Sequence, residues 1–262
     1  MQSKPKHLGP EYAAQFEDPS VARAYYARPP YPEAVFELID ALVVARPRRL
    51  LELGAGTGDL TLRLARRVDA LEAVEPSLAM LEIAGAKQAR EGCPDNVQWI
   101  HAAAETYRYE GPYDAVVAAE ALHWMSWGQV LPAIARSLKA TGFLVIVCDR
   151  VLWNLPWRDR ERELVARHST NRDYRPYDLA SELKARELFV ELGRKQCCQL
   201  GFCQSVDDYV ESFHSRNGFS RERMPTASDF DRKLRELVLA SVPSGQVEAT
   251  VVSNVIWGRP KT

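Results

Sequence analysis

From residue 48 onward, short apolar runs alternate with longer amphipathic stretches. "RRLLELGA" (48–55) reads as a buried strand and "DLTLRLARRV" (59–68) as a helix. "LEAVEP" (71–76) is a second strand. "SLAMLEIAGAKQARE" (77–91) is a helix whose N-cap is Ser77. "VQWIHAAA" (97–104) and "YDAVVAAE" (113–120) are further strands. "WGQVLPAIARSLK" (127–139) is a helix and "GFLVIVCDR" (142–150) a fifth strand. Strands separated by helices of this length predict a parallel sheet covered by helices on both faces.

The flanks are patterned differently. Residues 10–45 read as helical and aromatic, interrupted at Pro29, Pro30 and Pro32, with a second helix starting near Pro32. Residues 151–194 are highly charged and predict mostly helix. "QCCQLGFCQS" (196–205) reads as a sixth strand, "VDDYVESFHSRNGF" and "ASDFDRKLRELVLASV" as helices, and "GQVEATVVSNVIWGRP" as a closing strand. With no repeat or low-complexity tract, the simplest organisation is a single domain over 1–262. It has an N-terminal helical cap (1–45), a core (46–150), and helical insertions with C-terminal strands (151–262).

Composition narrows the class without naming a function. The 262 residues are 46% hydrophobic and 26% charged, an ordinary globular balance with room for a sizeable core. The net charge of -1 provides no global field for nucleic acid or an anionic membrane. The first residues lack the apolar run of a secretory signal, and no stretch reaches the ~18 apolar residues of a membrane span. A cytoplasmic protein is expected. The five cysteines, Cys93, Cys148, Cys197, Cys198 and Cys203, form no CxxC pair, so buried reduced thiols are expected rather than disulfides or zinc.

The chemistry concentrates in "LLELGAGTGDLT". Gly54, Gly56 and Gly58 sit between a strand and a helix, where open α/β sheets bind ligands. The spacing is G-x-G-x-G. Asp59 occupies the position of the third glycine in a dinucleotide fingerprint, and a carboxylate there opposes a pyrophosphate. No G-x-x-x-x-G-K-[ST] run exists, which excludes the corresponding triphosphate loop. Glu75 ends the second strand and can accept from both hydroxyls of a ribose. The combination points to a nucleoside with no need of a phosphate.

Four segments in order then resemble the class I S-adenosylmethionine-dependent methyltransferases: "ELGAGTG" (52–58), "VEPS" (74–77), "HAAAETY" (101–107) and "DAVVAAEALHWM" (114–125). "AYYARPPYPEAVFELI" and "ALHW" resemble the small-molecule branch of that family, which includes trans-aconitate-methyltransferase-like enzymes. The resemblance implies a Rossmann-like α/β three-layer sandwich with a mostly parallel seven-stranded sheet, the last strand antiparallel, and helical lid insertions. It implies S-adenosylmethionine as cofactor, S-adenosylhomocysteine as product and no metal. The implied cofactor residues are Tyr25, Arg28, Glu52, Gly54, Ala55, Gly56, Thr57, Gly58, Glu75, Pro76, Ser77, Met80, Ala104, Glu105, Ala119 and Glu120. Many relatives carry an aspartate where Ala103 stands, so the adenine contact falls to Glu105 or to the backbone of Ala104. "RPPY" (28–31) resembles the motif of amine methyltransferases acting on nucleic acid or protein, but Arg28 cannot accept a hydrogen bond from an amine.

Methyl transfer from a sulfonium is a displacement that requires alignment and exclusion of water. A base is needed only where the nucleophile must lose a proton. His123, after the fourth strand, is the candidate base, with packing against Trp124 as its alternative role. Trp124, Trp153 and His214 are candidate substrate-pocket residues, and Trp127 and Trp157 could also line an apolar pocket. The expected partner is a small-molecule acceptor, with no nucleic acid or membrane, in a monomer or homodimer. Two alternatives remain: a non-catalytic S-adenosylmethionine-binding protein, and a nicotinamide-dependent oxidoreductase.

Overall fold

The structure is a computed structural model describing residues 4–261. The helices are α1 (Pro10–Ala13), α2 (Pro19–Ala24), α3 (Glu33–Leu42), α4 (Thr61–Ala65), α5 (Leu78–Glu91), α6 (Trp127–Ser137), α7 (Arg158–His168), α8 (Leu179–Ala185), α9 (Val206–His214) and α10 (Ala227–Leu239). The strands are β1 (Arg49–Leu53), β2 (Ala70–Glu75), β3 (Val97–His101), β4 (Tyr113–Ala119), β5 (Leu138–Trp153), β6 (Phe189–Ser205) and β7 (Gln246–Pro260). They form one seven-stranded sheet in the order β3-β2-β1-β4-β5-β7-β6. The sheet is mostly parallel with one antiparallel strand, the Rossmann-like architecture expected.

The chain divides into two compact units. The first comprises the chain up to Pro30, Arg150–Arg175 and Gln199–Val251. The second comprises Tyr31–Asp149, Pro176–Cys198 and the chain from Val252 on. The expected N-terminal cap (1–45) is thus cut at Pro30, and the expected C-terminal segment contributes to both units.

In the second unit the period of two along each strand feeds both faces of the sheet. Leu51 and Leu53 of β1, Val116 and Ala118 of β4, and Leu144 and Ile146 of β5 join one core with α6 and α8. Leu50, Ala115, Val117, Val145 and Val147 point the other way, into a core with α3 and α4. Both faces being covered explains why these strands read as unbroken apolar runs. Helix α5 starts as expected, with Ser77 Oγ accepting from Met80 N at 3.4 Å, and ends at Gly92 in the left-handed region, φ +56°.

The first unit has its own core, in which Tyr209, Phe213, Phe219 and Phe230 pack edge to face or tilted, with centroids 4.9–6.0 Å apart. No helix among the described residues is long and apolar enough to cross a membrane.

Two expectations are corrected. Residues 189–194 are strand, not helix: β6 begins at Phe189. Its early residues are charged because an edge strand shows one side to solvent, and it stands last in the sheet order. The cysteines are all free, but only Cys93 and Cys197 are buried; Cys148 is partly buried, and Cys198 and Cys203 are exposed. Cys198 follows Cys197 onto the opposite face of β6. Gly201, at φ +66°, then shifts the alternation, so that Gln204 faces in and Cys203 faces out.

One polar cluster pins the sheet away from its carboxyl edge. Glu72 of β2 is buried and accepts from Arg49 Nη2 at 2.6 Å, from Tyr113 Oη at 2.7 Å and from Tyr107 Oη. Glu72→Ala leaves three donors without this acceptor. Urea unfolding at pH 7 is expected to show a loss of roughly 2–4 kcal/mol; a loss below 0.5 kcal/mol, as for an ordinary surface change, would contradict this role.

Candidate functional site

The order of the strands reverses between β1 and β4, and the carboxyl ends of these two strands flank a crevice position. The glycine turn follows β1 there. Gly54, Gly56 and Gly58 have φ of +75°, +57° and +80°, a region costly to residues with a Cβ. At Gly54 a Cβ would also lie 2.4 Å from Ala121 Cβ, so the turn rests directly on the chain leaving β4. Gly54 N and Ala55 N donate to Val74 O at 2.8 and 3.1 Å, fixing the turn to β2.

The end of β2 presents Glu75, 5% exposed. Its Oε2 accepts from Gly56 N and its Oε1 from Ser77 N, each at 2.9 Å. This carboxylate therefore holds the glycine turn and the start of α5 in one frame. Pro76 is exposed beside it, with its carbonyl 2.9 Å from His101 Nε2, and Met80 is buried one turn into α5.

Glu52 lies beneath the turn, 1% exposed, and accepts from Thr61 Oγ1 at 2.7 Å. Burial, with the charges of Asp59 and Glu75 adding to it, pushes its pKa up to about 8. Thr57 is buried in the turn. Asp59 is not a bare charge: Lys87 Nζ of α5 donates to its Oδ1 at 2.6 Å and to Thr57 Oγ1 at 3.0 Å. Lys87, 28 positions away in the chain, thus offsets the carboxylate expected to oppose a pyrophosphate.

The third segment supplies Ala104, buried, whose carbonyl accepts from Tyr109 Oη at 2.9 Å. Glu105 is turned toward Ser126, whose N–H donates to its Oε1 at 2.6 Å. One carboxylate oxygen of the expected adenine contact is thus engaged in bracing the start of α6. Ala104 and Glu105 also line a cavity of about 370 Å³ with Tyr107, Tyr109, Gln129 and Arg136.

At the end of β4, Ala119 is 9% exposed, and Glu120 is held at φ +50° with its N–H donating to Val147 O at 2.8 Å. A non-glycine residue in this region is strained, and such strain gathers at functional sites. Glu120 is among the cofactor residues the resemblance implies, but nothing in the sequence marks this conformation. His123 and Trp124 follow on a short 3₁₀ turn, Leu122–Trp124, both partly buried, their rings 4.8 Å apart and tilted by 52°.

The remaining candidates, Trp127 apart, belong to the first unit. Arg28 Cζ lies 5.0 Å from the Tyr25 ring centroid. Trp153 is 51% exposed. His214, expected in a substrate pocket, is fully buried, with Nδ1 2.8 Å from Phe219 O and Nε2 2.6 Å from Asp231 Oδ1. Both ring nitrogens are thereby committed within this unit. Trp127 and Trp157 are buried and donate to Leu122 O at 2.8 Å and Tyr209 Oη at 3.2 Å respectively, so they serve their cores.

Residues 50–142 match the family model described as a methyltransferase domain. An uncharacterized methyltransferase of Mycobacterium tuberculosis is 36% identical over 140 residues, 53% of this chain and 54% of that protein. Trans-aconitate 2-methyltransferase of Pseudomonas aeruginosa is 33% identical over 48% of this chain and 42% of its own length. The chain thus spans about half the length of these curated relatives. Among solved structures, a putative type II methyltransferase from Anaeromyxobacter dehalogenans superposes with a TM-score of 0.63 at 21% identity, covering 88% of this chain and 97% of that one. A Geobacter sulfurreducens methyltransferase, crystallised with S-adenosylhomocysteine, has a TM-score of 0.53 at 17% identity, covering 97% and 99%. At these identities the two structures establish the fold.

The raised pKa of Glu52 has a measurable consequence. An unfolded chain releases this proton near the ordinary value of 4.5, whereas the folded chain keeps it to about 8. Stability contributed by this group therefore falls as pH rises between these values, by on the order of a few kcal/mol in total. Glu52→Gln, neutral at every pH, is expected to gain on the wild type progressively from about pH 5 to 8 in thermal unfolding. A stability difference independent of pH across that window would contradict the assignment.

Proposed function

We propose that this chain, whose residues 50–142 match a methyltransferase-domain model, is a class I S-adenosylmethionine-dependent methyltransferase that transfers a methyl group from S-adenosylmethionine to a small-molecule acceptor, releasing S-adenosylhomocysteine. The observation that carries this reading is the Glu75 carboxylate. It is buried at the end of β2 and braced by Gly56 N and Ser77 N, the place where a carboxylate takes the hydroxyls of a ribose. The positive-φ turn leaves no side chain at Gly54, Gly56 or Gly58 to block the backbone face over which the methionine portion would lie.

The donor set fits this cofactor. Glu75 takes the ribose hydroxyls, Met80 offers an apolar surface for the adenine, and Ala104 offers its backbone N–H to the base. Glu52 and Thr57 support the turn, and Ala119 and Glu120 border the reacting end. Bound, the cofactor supplies a methyl group already activated by a positive sulfur. The protein's part is to align an acceptor behind that methyl and to exclude water; alignment of this kind supplies roughly 7–11 kcal/mol in favourable cases. For an acceptor that must lose a proton, we assign His123 as the base. Its unperturbed range suits proton removal near neutrality. The family model and the relatives support the methyltransferase class; the acceptor is our reading of a site built from small-molecule-scale parts.

Two variants test these roles. Glu75→Ala removes the ribose acceptor together with the brace of the turn, and calorimetric titration is expected to show at least ~10-fold weaker binding of S-adenosylhomocysteine. Equal affinity would remove Glu75 from the cofactor site. His123→Ala is expected to lower kcat by ~10²-fold or more with a hydroxyl acceptor obtained from a screen of small acids, phenols and amines. Cofactor affinity should stay within about twofold, and an unchanged kcat would leave His123 as packing for Trp124.

A further inference from the structure

Within the second unit, α6 carries Gln129, Ala133 and Arg136 at i, i+4 and i+7, so the three share one face of the helix. Two polar side chains there flank a residue with only a methyl group. They line one wall of the cavity of about 370 Å³, and Glu105, Tyr107 and Tyr109 line the other. An exposed arginine in the last turn of a helix is ordinary. This one lines a hollow that its own helix leaves open at Ala133, and among the described residues its guanidinium has no ion pair or hydrogen bond. A guanidinium has five donors arranged to grip a carboxylate.

The opposite wall is aromatic and already fixed. Tyr107 and Tyr109 meet edge to face, with centroids 5.1 Å apart. Tyr109 Oη donates to Ala104 O at 2.9 Å. Tyr107 Oη donates to Glu72 and lies 3.0 Å from Tyr113 Oη. With both hydroxyls held, a ligand need not order these rings. Glu105 joins the start of α6, where its Oε1 accepts from Ser126 N; its Oε2 has no partner among the described residues. The cavity therefore offers a cation toward the end of α6, acceptors toward its start, and a flat apolar wall between. From Gln129 to Arg136 the helix rises by roughly 10 Å.

We propose that this cavity binds a single-ring aromatic carboxylate with a hydrogen-bond donor across the ring, of the para-hydroxybenzoate kind. Arg136 takes the carboxylate as a charge-assisted pair. The ring lies over Ala133 against the two tyrosines. Glu105 or Gln129 accepts from the donor. The volume is within the range of small-molecule sites. The ligand is an effector rather than the methyl acceptor. Arg136 is two residues before Leu138, which pairs with Tyr113 at the amino end of β4. Ala119 and Glu120 stand at the other end of that strand, roughly 20 Å away along it. This separation from the acceptor rests on the methyltransferase reading; the site itself does not.

The full-length protein, with and without saturating S-adenosylhomocysteine, is titrated with para-hydroxybenzoate by ligand-observed NMR. Para-hydroxybenzamide is the neutral control and acetate the ringless one. The acid is expected to bind with a Kd of about 1 mM or tighter in both states, and both controls at least about tenfold more weakly. Arg136→Gln removes the cation, and Ala133→Leu fills the hollow. Each is expected to weaken the acid by about tenfold or more, with melting curves like the wild type and S-adenosylhomocysteine affinity within about twofold. Absence of binding, or controls binding as well as the acid, would overturn the site. Loss in Arg136→Gln alone would place the acid on the open surface and overturn the cavity. Displacement of S-adenosylhomocysteine by the acid, or its methylation when S-adenosylmethionine is supplied, would overturn the effector assignment. Failure of S-adenosylhomocysteine to bind would strike the methyltransferase reading instead, and the titration without it still decides the site.

Discussion

A single buried carboxylate organises the carboxyl edge of the sheet. Glu75 takes one N–H from the glycine turn and one from the start of α5, and so sets the distance between them. The turn can accept this position only because three of its residues adopt positive φ, and Gly54 only because nothing projects from it toward Ala121. Strand β2 contributes the carboxylate and, through Val74 O, two further bonds to the turn. The parallel pairing of β1 with β2, Leu53 beside Val74, brings these parts into register. Remove the register and the carboxylate has no turn to hold.

Around this frame the electrostatics are graded. Glu52 is buried deeply enough to keep its proton to about pH 8, so the floor of the site is neutral rather than anionic under ordinary conditions. Asp59 is paired with Lys87.

Much of this was legible in the sequence because the signals are local. Strands β1, β2, β4 and β5 are apolar on both faces, and the alternation of strand and helix dictates the parallel sheet. The glycines, Glu75 and the Ser77 cap lie within a few residues of the elements they serve. What escaped depends on partners far apart in the chain. Lys87 neutralises Asp59, Ser126 engages Glu105, and Asp231 with Phe219 occupies His214. The start of β6 was read as helix because the charged residues of an edge strand resemble those of a solvated helix.

The central claim is that the glycine turn and Glu75 hold an S-adenosyl cofactor. The most direct test is calorimetric titration of the wild-type protein with S-adenosylmethionine, S-adenosylhomocysteine and NADH in parallel. Saturable binding of the first two, and none of NADH, is the result this account predicts. Binding of NADH alone, to protein first shown to be free of cofactor, would contradict it.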